Sequence, residues 1–104
     1  MIDVNVLYNF SCRIITMQSA GLITNYEASV SKVFSSELIQ RMSNTGMRVY
    51  GLYSNVWDPD HACSPQKSLF THENLHSVVL TIYGGSNEIQ RNIIATRGLG
   101  LPRG

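Results

Sequence analysis

Charge is what this sequence has least of. Only 14% of its 104 residues are Asp, Glu, Lys or Arg, and together they leave a formal net charge of +1. A surface so poor in charge points to faces meant to be covered by other domains or subunits. The near-zero balance gives no basic field for nucleic acid and none for an anionic membrane. Long apolar runs are missing as well: none approaches the roughly 20 residues that a membrane span requires. The N-terminus lacks the basic-then-apolar layout of a signal peptide. The two cysteines, Cys12 and Cys63, have no Cys-x-x-Cys spacing and read as reduced thiols of a cytoplasmic protein. Strand alternation and internal repeats are absent.

What the chain does have is 43% apolar residues, spaced for helices. Leu7, Phe10, Ile14 and Met17 recur at three- and four-residue steps, with Asp3 placed to cap that helix and Gly21 and Thr24-Asn25 to end it. Val30, Val33, Phe34, Leu38 and Met42 make the stripe of a second helix, from about Glu27 to Tyr50, with Glu37 and Arg41 as an i,i+4 pair and Gly51 as its stop. Gly46 inside this helix costs about 1 kcal/mol relative to alanine and is expected to admit a close neighbour. Ser54 to Pro65, with two prolines, reads as a loop. Its Trp57 is either a docking contact or a lid over the chain's own core. A third helix is expected from about Gln66 to Tyr83, with Leu75, Val78, Val79 and Ile82 as its apolar face. The expectation is an all-α domain, a helical bundle of about four helices in one small unit.

The last quarter organises the rest. Gly84 and Gly85 have no Cβ, so the backbone can turn sharply there and another molecule can come close. Ser86 is placed to cap a new helix, Glu88 suits its first turn, and Ile89, Ile93 and Ile94 mark its buried face, with Gly98 as the stop. Such a bend is either a plain helix–turn–helix corner or a place where free N–H groups meet an oxygen of a ligand.

Two other patterns carry chemistry. His72-Glu73-Asn74-Leu75-His76 is a literal H-E-x-x-H on an expected helix, which sets two imidazoles on one face for zinc, with Glu73 as the base on metal-bound water. Zinc needs a third protein ligand, and Val79 and Ile82 stand where a metzincin has glycine and histidine. Asp58, Asp60, His61 and Cys63 cluster in the loop, at a spacing that fits no standard metal set.

Two blocks resemble one family. Tyr83-Gly-Gly-Ser-Asn-Glu-Ile-Gln-Arg-Asn-Ile-Ile-Ala-Thr-Arg-Gly-Leu-Gly-Leu-Pro-Arg103 is similar to the C-terminal signature of flavin-dependent acyl-CoA dehydrogenases. Glu27-Ala-Ser-Val-Ser-Lys-Val-Phe-Ser-Ser-Glu-Leu-Ile-Gln-Arg41 resembles the same family's long bundle helix. The blocks stand in the family's order and together cover more than a third of the chain. The resemblance implies that residues 1–104 form the C-terminal helical bundle, without the family domain's first helix and the upstream domains. It also implies an FAD-dependent α,β-dehydrogenation of an acyl-CoA thioester in fatty acid β-oxidation, in a homo-oligomer that passes electrons to electron-transfer flavoprotein.

By the same resemblance, the Gly84 N–H hydrogen-bonds the thioester carbonyl, which stabilises a developing enolate, and Tyr83 and Gly85 flank the acyl chain. Ser86 and Glu88 touch the flavin cofactor, while Arg48 and Gly51 reach the FAD of an adjacent subunit. The chain departs from the pattern at the base. Many family members carry the catalytic glutamate where this chain has Gly84, and glycine cannot abstract a proton, so no catalytic residue is assigned and the isolated chain is expected to be inactive. Ser86 stands for the usual threonine and Asn87 for a small residue. The other readings are a non-catalytic helical oligomerisation module and a zinc hydrolase built on His72, Glu73 and His76.

Overall fold

The computed structural model describes residues 1–103, and among them every regular element is helical. In chain order these are α1 (Ile2–Ser19), α2 (Asn25–Tyr50), α3 (Leu69–Leu80) and α4 (Asn87–Ile93). Short 3-10 turns occupy Gly51–Asn55 and Pro65–Ser68, and a π-helical turn, Ile94–Gly98, continues α4. The all-α expectation therefore holds. The chain divides into two bodies, one of residues 1–35 with 84 onward, the other of Ser36–Tyr83.

In the first body, the stripe read from periodicity is the half-buried face of α1. Leu7, Phe10, Ile14 and Met17 are partly covered, whereas Val4, Val6 and Ile15 on other faces are exposed. Asp3 does not cap this helix; Met1 is the N-cap, and Asp3 lies inside the first turn, where the helix dipole still favours its charge. The C-terminus closes as a Schellman motif: Gly21 N–H bonds Gln18 O at 3.0 Å and Leu22 N–H bonds Met17 O at 3.0 Å. Across the link to α2, Gln18 Nε2 donates to Thr24 Oγ1 at 3.1 Å.

Helix α2 starts two residues before the expected position and ends at Tyr50 as expected. Its covered face is not the apolar stripe alone. Ser29, Ser36 and Ser43, seven residues apart, are buried, and of the expected stripe only Leu38 is equally so; Val30, Val33 and Phe34 are half-buried and Met42 is exposed. Small residues thus recur at heptad spacing on the buried face, and the Ser29 and Ser43 hydroxyls return to the helix, Ser43 Oγ to Gln40 O at 3.0 Å.

The second body shows why Gly46 is glycine. A Cβ there would lie 2.1 Å from Cδ1 of Phe70, in the first turn of α3, so the ring packs directly on the α2 backbone. The Phe70 ring also meets Tyr50, centroids 5.8 Å apart. Helix α3 begins three residues later than expected, because Gln66, Lys67 and Ser68 are all left-handed, with φ of 49°, 53° and 57°. That conformation costs an L-residue roughly 1–2 kcal/mol each, and side-chain bonds over-determine it. Ser68 Oγ donates to Val56 O at 2.7 Å and meets Ser64 Oγ at 2.8 Å, and Thr71 Oγ1 donates to Ser54 O.

The apolar face expected on α3 is not a core. Leu75, Val78, Val79 and Ile82 are each about half exposed or more, while Thr71 and Ser77 are buried. No helix among the described residues is long and apolar enough to cross a membrane.

Candidate functional site

Helix α3 ends at Leu80, and Thr81 closes it by donating its Oγ1 to Val78 O at 2.8 Å. The exposed Tyr83 still bonds back, N–H to Val79 O at 3.1 Å. Then two consecutive glycines take φ of 67° and 89°, conformations that L-residues rarely adopt. The chain reverses there, and Ser86 returns to extended backbone as the N-cap of α4. Its Oγ accepts the Ile89 N–H in a long bond of 3.5 Å.

The bend is held from behind and open in front. Gln90 Nε2 donates to Gly84 O at 3.1 Å, tying the bend's carbonyl to α4. A Cβ built on Gly84 meets nothing within 4 Å, and its N–H has no acceptor among the described residues. On the opposite flank, Lys32 Nζ of α2 donates to Oδ1 of the buried Asn87 at 2.7 Å. A charge-assisted bond of that length fixes the first residue of α4. Glu88 beside it is exposed; a bond from its own backbone N–H, then one from Ser86, hold its carboxyl below the ordinary range.

The expected site residues fall in both bodies. Gly84, Gly85, Ser86 and Glu88 come together in the first, as one bend and one helix start. Tyr83 is the last residue of the second body and joins Gly84 through the chain. Arg48, exposed in the last turn of α2, and Gly51, with φ of 54° and open space around it, also belong to the second body. Lys32, Asn87 and Gln90 were not singled out from sequence as positioning residues. Asn87 gave only the faint signal of a polar side chain where relatives have a small one, and Lys32 gave none.

The H-E-x-x-H residues do lie on α3, but they are engaged differently. His72 Nε2 is 3.1 Å from the Trp57 carbonyl, and its ring lies 3.9 Å from the indole ring. Trp57 thus covers His72 and stays more than half exposed itself. The loop's acidic and thiol residues bond within their own turn: Asp58 Oδ1 accepts from Asp60 N–H at 3.0 Å, and His61 Nδ1 from Cys63 N–H at 3.1 Å. Among the described residues no three His, Cys, Asp or Glu side chains gather as a ligand set. Cys12 and Cys63 are both free and exposed.

A capped helix opening from a double-glycine bend, in an all-α chain with these two sequence blocks, places the chain in the class of C-terminal helical domains. The sequence profile described as acyl-CoA dehydrogenase, C-terminal domain, matches residues 1–99, and the chain belongs to the acyl-CoA dehydrogenase family. It is 35% identical over 86 residues to acyl-CoA dehydrogenase FadE29 of Mycobacterium tuberculosis, covering 82% of this chain and 22% of that protein. It is 38% identical over 88 residues to acyl-CoA dehydrogenase IpdE1 of the same organism, covering 85% of this chain and 22% of the relative. A chain in the crystal structure of the ChsE4-ChsE5 complex from Mycobacterium tuberculosis superposes with a TM-score of 0.87 at 28% identity, covering 99% of this chain and 26% of its own. The sequence thus spans about a fifth of the length of the curated relatives it matches.

Proposed function

We propose that this chain is the C-terminal part of an FAD-dependent acyl-CoA dehydrogenase, acting on an acyl-CoA thioester, and that residues 1–104 alone have no dehydrogenase activity. The observation that carries this reading is the bend at Gly84-Gly85. Its free N–H and its open side suit a carbonyl oxygen that must gather charge, and hydrogen bonds aimed at such an oxygen make the α-proton more acidic. The residues present also fit the cofactor: Ser86 Oγ accepts from Ile89 and donates to the Glu88 carboxyl, and Glu88 stays ionised as an acceptor.

FAD, when bound, supplies the hydride acceptor. In this reading Gly84 polarises the thioester, Tyr83 and Gly85 flank the acyl chain, and Ser86 and Glu88 orient the cofactor. Arg48 and Gly51 serve the FAD of an adjacent subunit, and electron-transfer flavoprotein takes the electrons. The proton is removed by a carboxylate outside these residues, because Gly84 holds the position where many relatives carry it.

The test is flavin titration and dye reduction with the purified chain, alone and mixed with the upstream domains of a relative. Flavin retention and acyl-CoA-dependent dye reduction are expected only in the mixture. Dye reduction by the chain alone contradicts the proposed inactivity, and a mixture that retains no flavin overturns the cofactor role. The second reading, a non-catalytic oligomerisation module, draws on the exposed α3 stripe of Leu75, Val78, Val79 and Ile82. Self-association in sedimentation, with no flavin retained by the mixture, would favour it.

A further inference from the structure

Helix α4 carries a cavity that the dehydrogenase reading does not use. Its volume is about 510 Å3, within the size range of small-molecule sites. Ile89 and Ile93, four residues apart on one face of α4, join Pro102 to give it an apolar lining, and Arg97 and Arg103 line it as well.

The two arginines meet there because of how the helix ends. In an uninterrupted helix, residues six apart point about 120° away from each other. Here α4 passes into the π turn, and the tail folds back through Leu99 N–H to Ile94 O at 3.1 Å and Leu101 N–H to Ala95 O at 3.0 Å. That return brings Arg103 to the cavity that Arg97 already lines. Among the described residues no carboxylate pairs with either guanidinium. Two like charges on one concavity repel, and an anion between them relieves the repulsion.

We propose that this cavity binds a small organic phosphate: a doubly charged phosphoryl head between Arg97 and Arg103, with a short apolar body on Ile89, Ile93 and Pro102. A phosphate monoester offers each guanidinium its own oxygens and up to two charges, whereas a single carboxylate offers two oxygens and one charge. The Thr96 hydroxyl donates to Asn92 O at 2.8 Å, so its proton is committed and the head is held by the arginines. The site stands apart from the flavin reading, since neither arginine takes part in the Gly84 bend.

The experiment is a titration of the isotopically labelled full chain, followed by amide chemical shifts, with hexyl phosphate, inorganic phosphate and hexanoate. Hexyl phosphate is expected to give saturable shifts at Ile89, Ile93 and Arg97, at least about tenfold tighter than either of the other two. Arg97→Gln and Arg103→Gln should each weaken it by about tenfold or more, with amide spectra away from the cavity unchanged. Saturable binding that ignores both substitutions, hexanoate binding as tightly as hexyl phosphate, or no saturable shift at millimolar ligand would each overturn the proposal.

Discussion

Alanine in place of each bend glycine separates two costs that the structure keeps distinct. At Gly84 a Cβ meets nothing within 4 Å, so the whole penalty of Gly84→Ala is the left-handed backbone at φ 67°. That conformation costs roughly 1–2 kcal/mol for an L-residue, partly offset by about 0.4–1 kcal/mol because alanine leaves the unfolded chain less freedom to lose. The expected net loss is about 1 kcal/mol, a fall in Tm of about 4–8 °C for a chain of this size. At Gly85 the same backbone cost applies at φ 89°, and a Cβ would also stand 2.5 Å from Gln90 Nε2. The amide end of Gln90 can swing away, but it then gives up its bond to Gly84 O, worth about 0.5–1.5 kcal/mol. Gly85→Ala should therefore cost about 2 kcal/mol, and in a Gln90→Ala background only about 1. Urea unfolding followed by far-UV circular dichroism measures all four members of that cycle. A neutral Gly84→Ala, or a Gly85→Ala cost that is the same with and without Gln90, would refute this account of the bend.

Three further outcomes are expected. Ser86→Ala removes the cap of α4 and should cost about 1 kcal/mol in the same unfolding assay. It should also raise the Glu88 pKa toward the ordinary carboxylate range, read from its side-chain carboxyl signal in an NMR titration. Because folding lowers that pKa, the stability it contributes is present above the unfolded-state value and fades as pH falls through the folded one. Ser86→Ala should flatten this acid-side dependence, and an unchanged Glu88 titration counts against the Ser86 contact. Gly46→Ala should destabilise by about 1–3 kcal/mol through collision with Phe70, yet become stabilising by up to about 1 kcal/mol once Phe70→Ala has cleared the space and helix propensity decides. Lys32→Met should cost about 1–3 kcal/mol by removing the charge-assisted bond to the buried Asn87 carbonyl oxygen, and in an Asn87→Ala background that cost should largely vanish.

Where one local rule governed a position, the sequence was enough. Met17 to Leu22 shows this: a stripe at helical spacing ran into Gly21, and the chain closed there in a Schellman motif. Ser86 capped α4 for a similar reason, with a hydroxyl directly before the helix and a flexible pair before that. Gly46 was legible because a glycine deep in a helix needs a steric cause, and Phe70 is that cause. The start of α3 was not legible. Gln66, Lys67 and Ser68 have no intrinsic taste for left-handed backbone, and only bonds to Val56, Ser64 and Ser54 from distant or neighbouring turns hold that stretch in place. The end of α4 was half legible. Helical backbone stops at Gly98 as expected, but the left-handed residue is Gly100, and Gly98 serves instead to let Tyr26 approach to 3.1 Å of where a Cβ would sit.

The deeper misreading lies in what periodicity measures. Leu75, Val78, Val79 and Ile82 recur at helical spacing because one face of α3 avoids water, yet in this chain that face is exposed and Thr71 and Ser77 are buried. The pattern reports that a face wants cover and says nothing about what provides it. Small polar residues can be buried because Ser and Thr return their hydroxyls to backbone carbonyls, as Ser77 Oγ does to Asn74 O at 2.7 Å, and so leave no group unpaired. A chain with 14% charged residues leaves such apolar faces on its surface, and contiguous exposed apolar patches are the kind that contacts use. The same reasoning applies to the glycine bend: its open side, like the α3 stripe, has a shape suited to contact with something outside these residues.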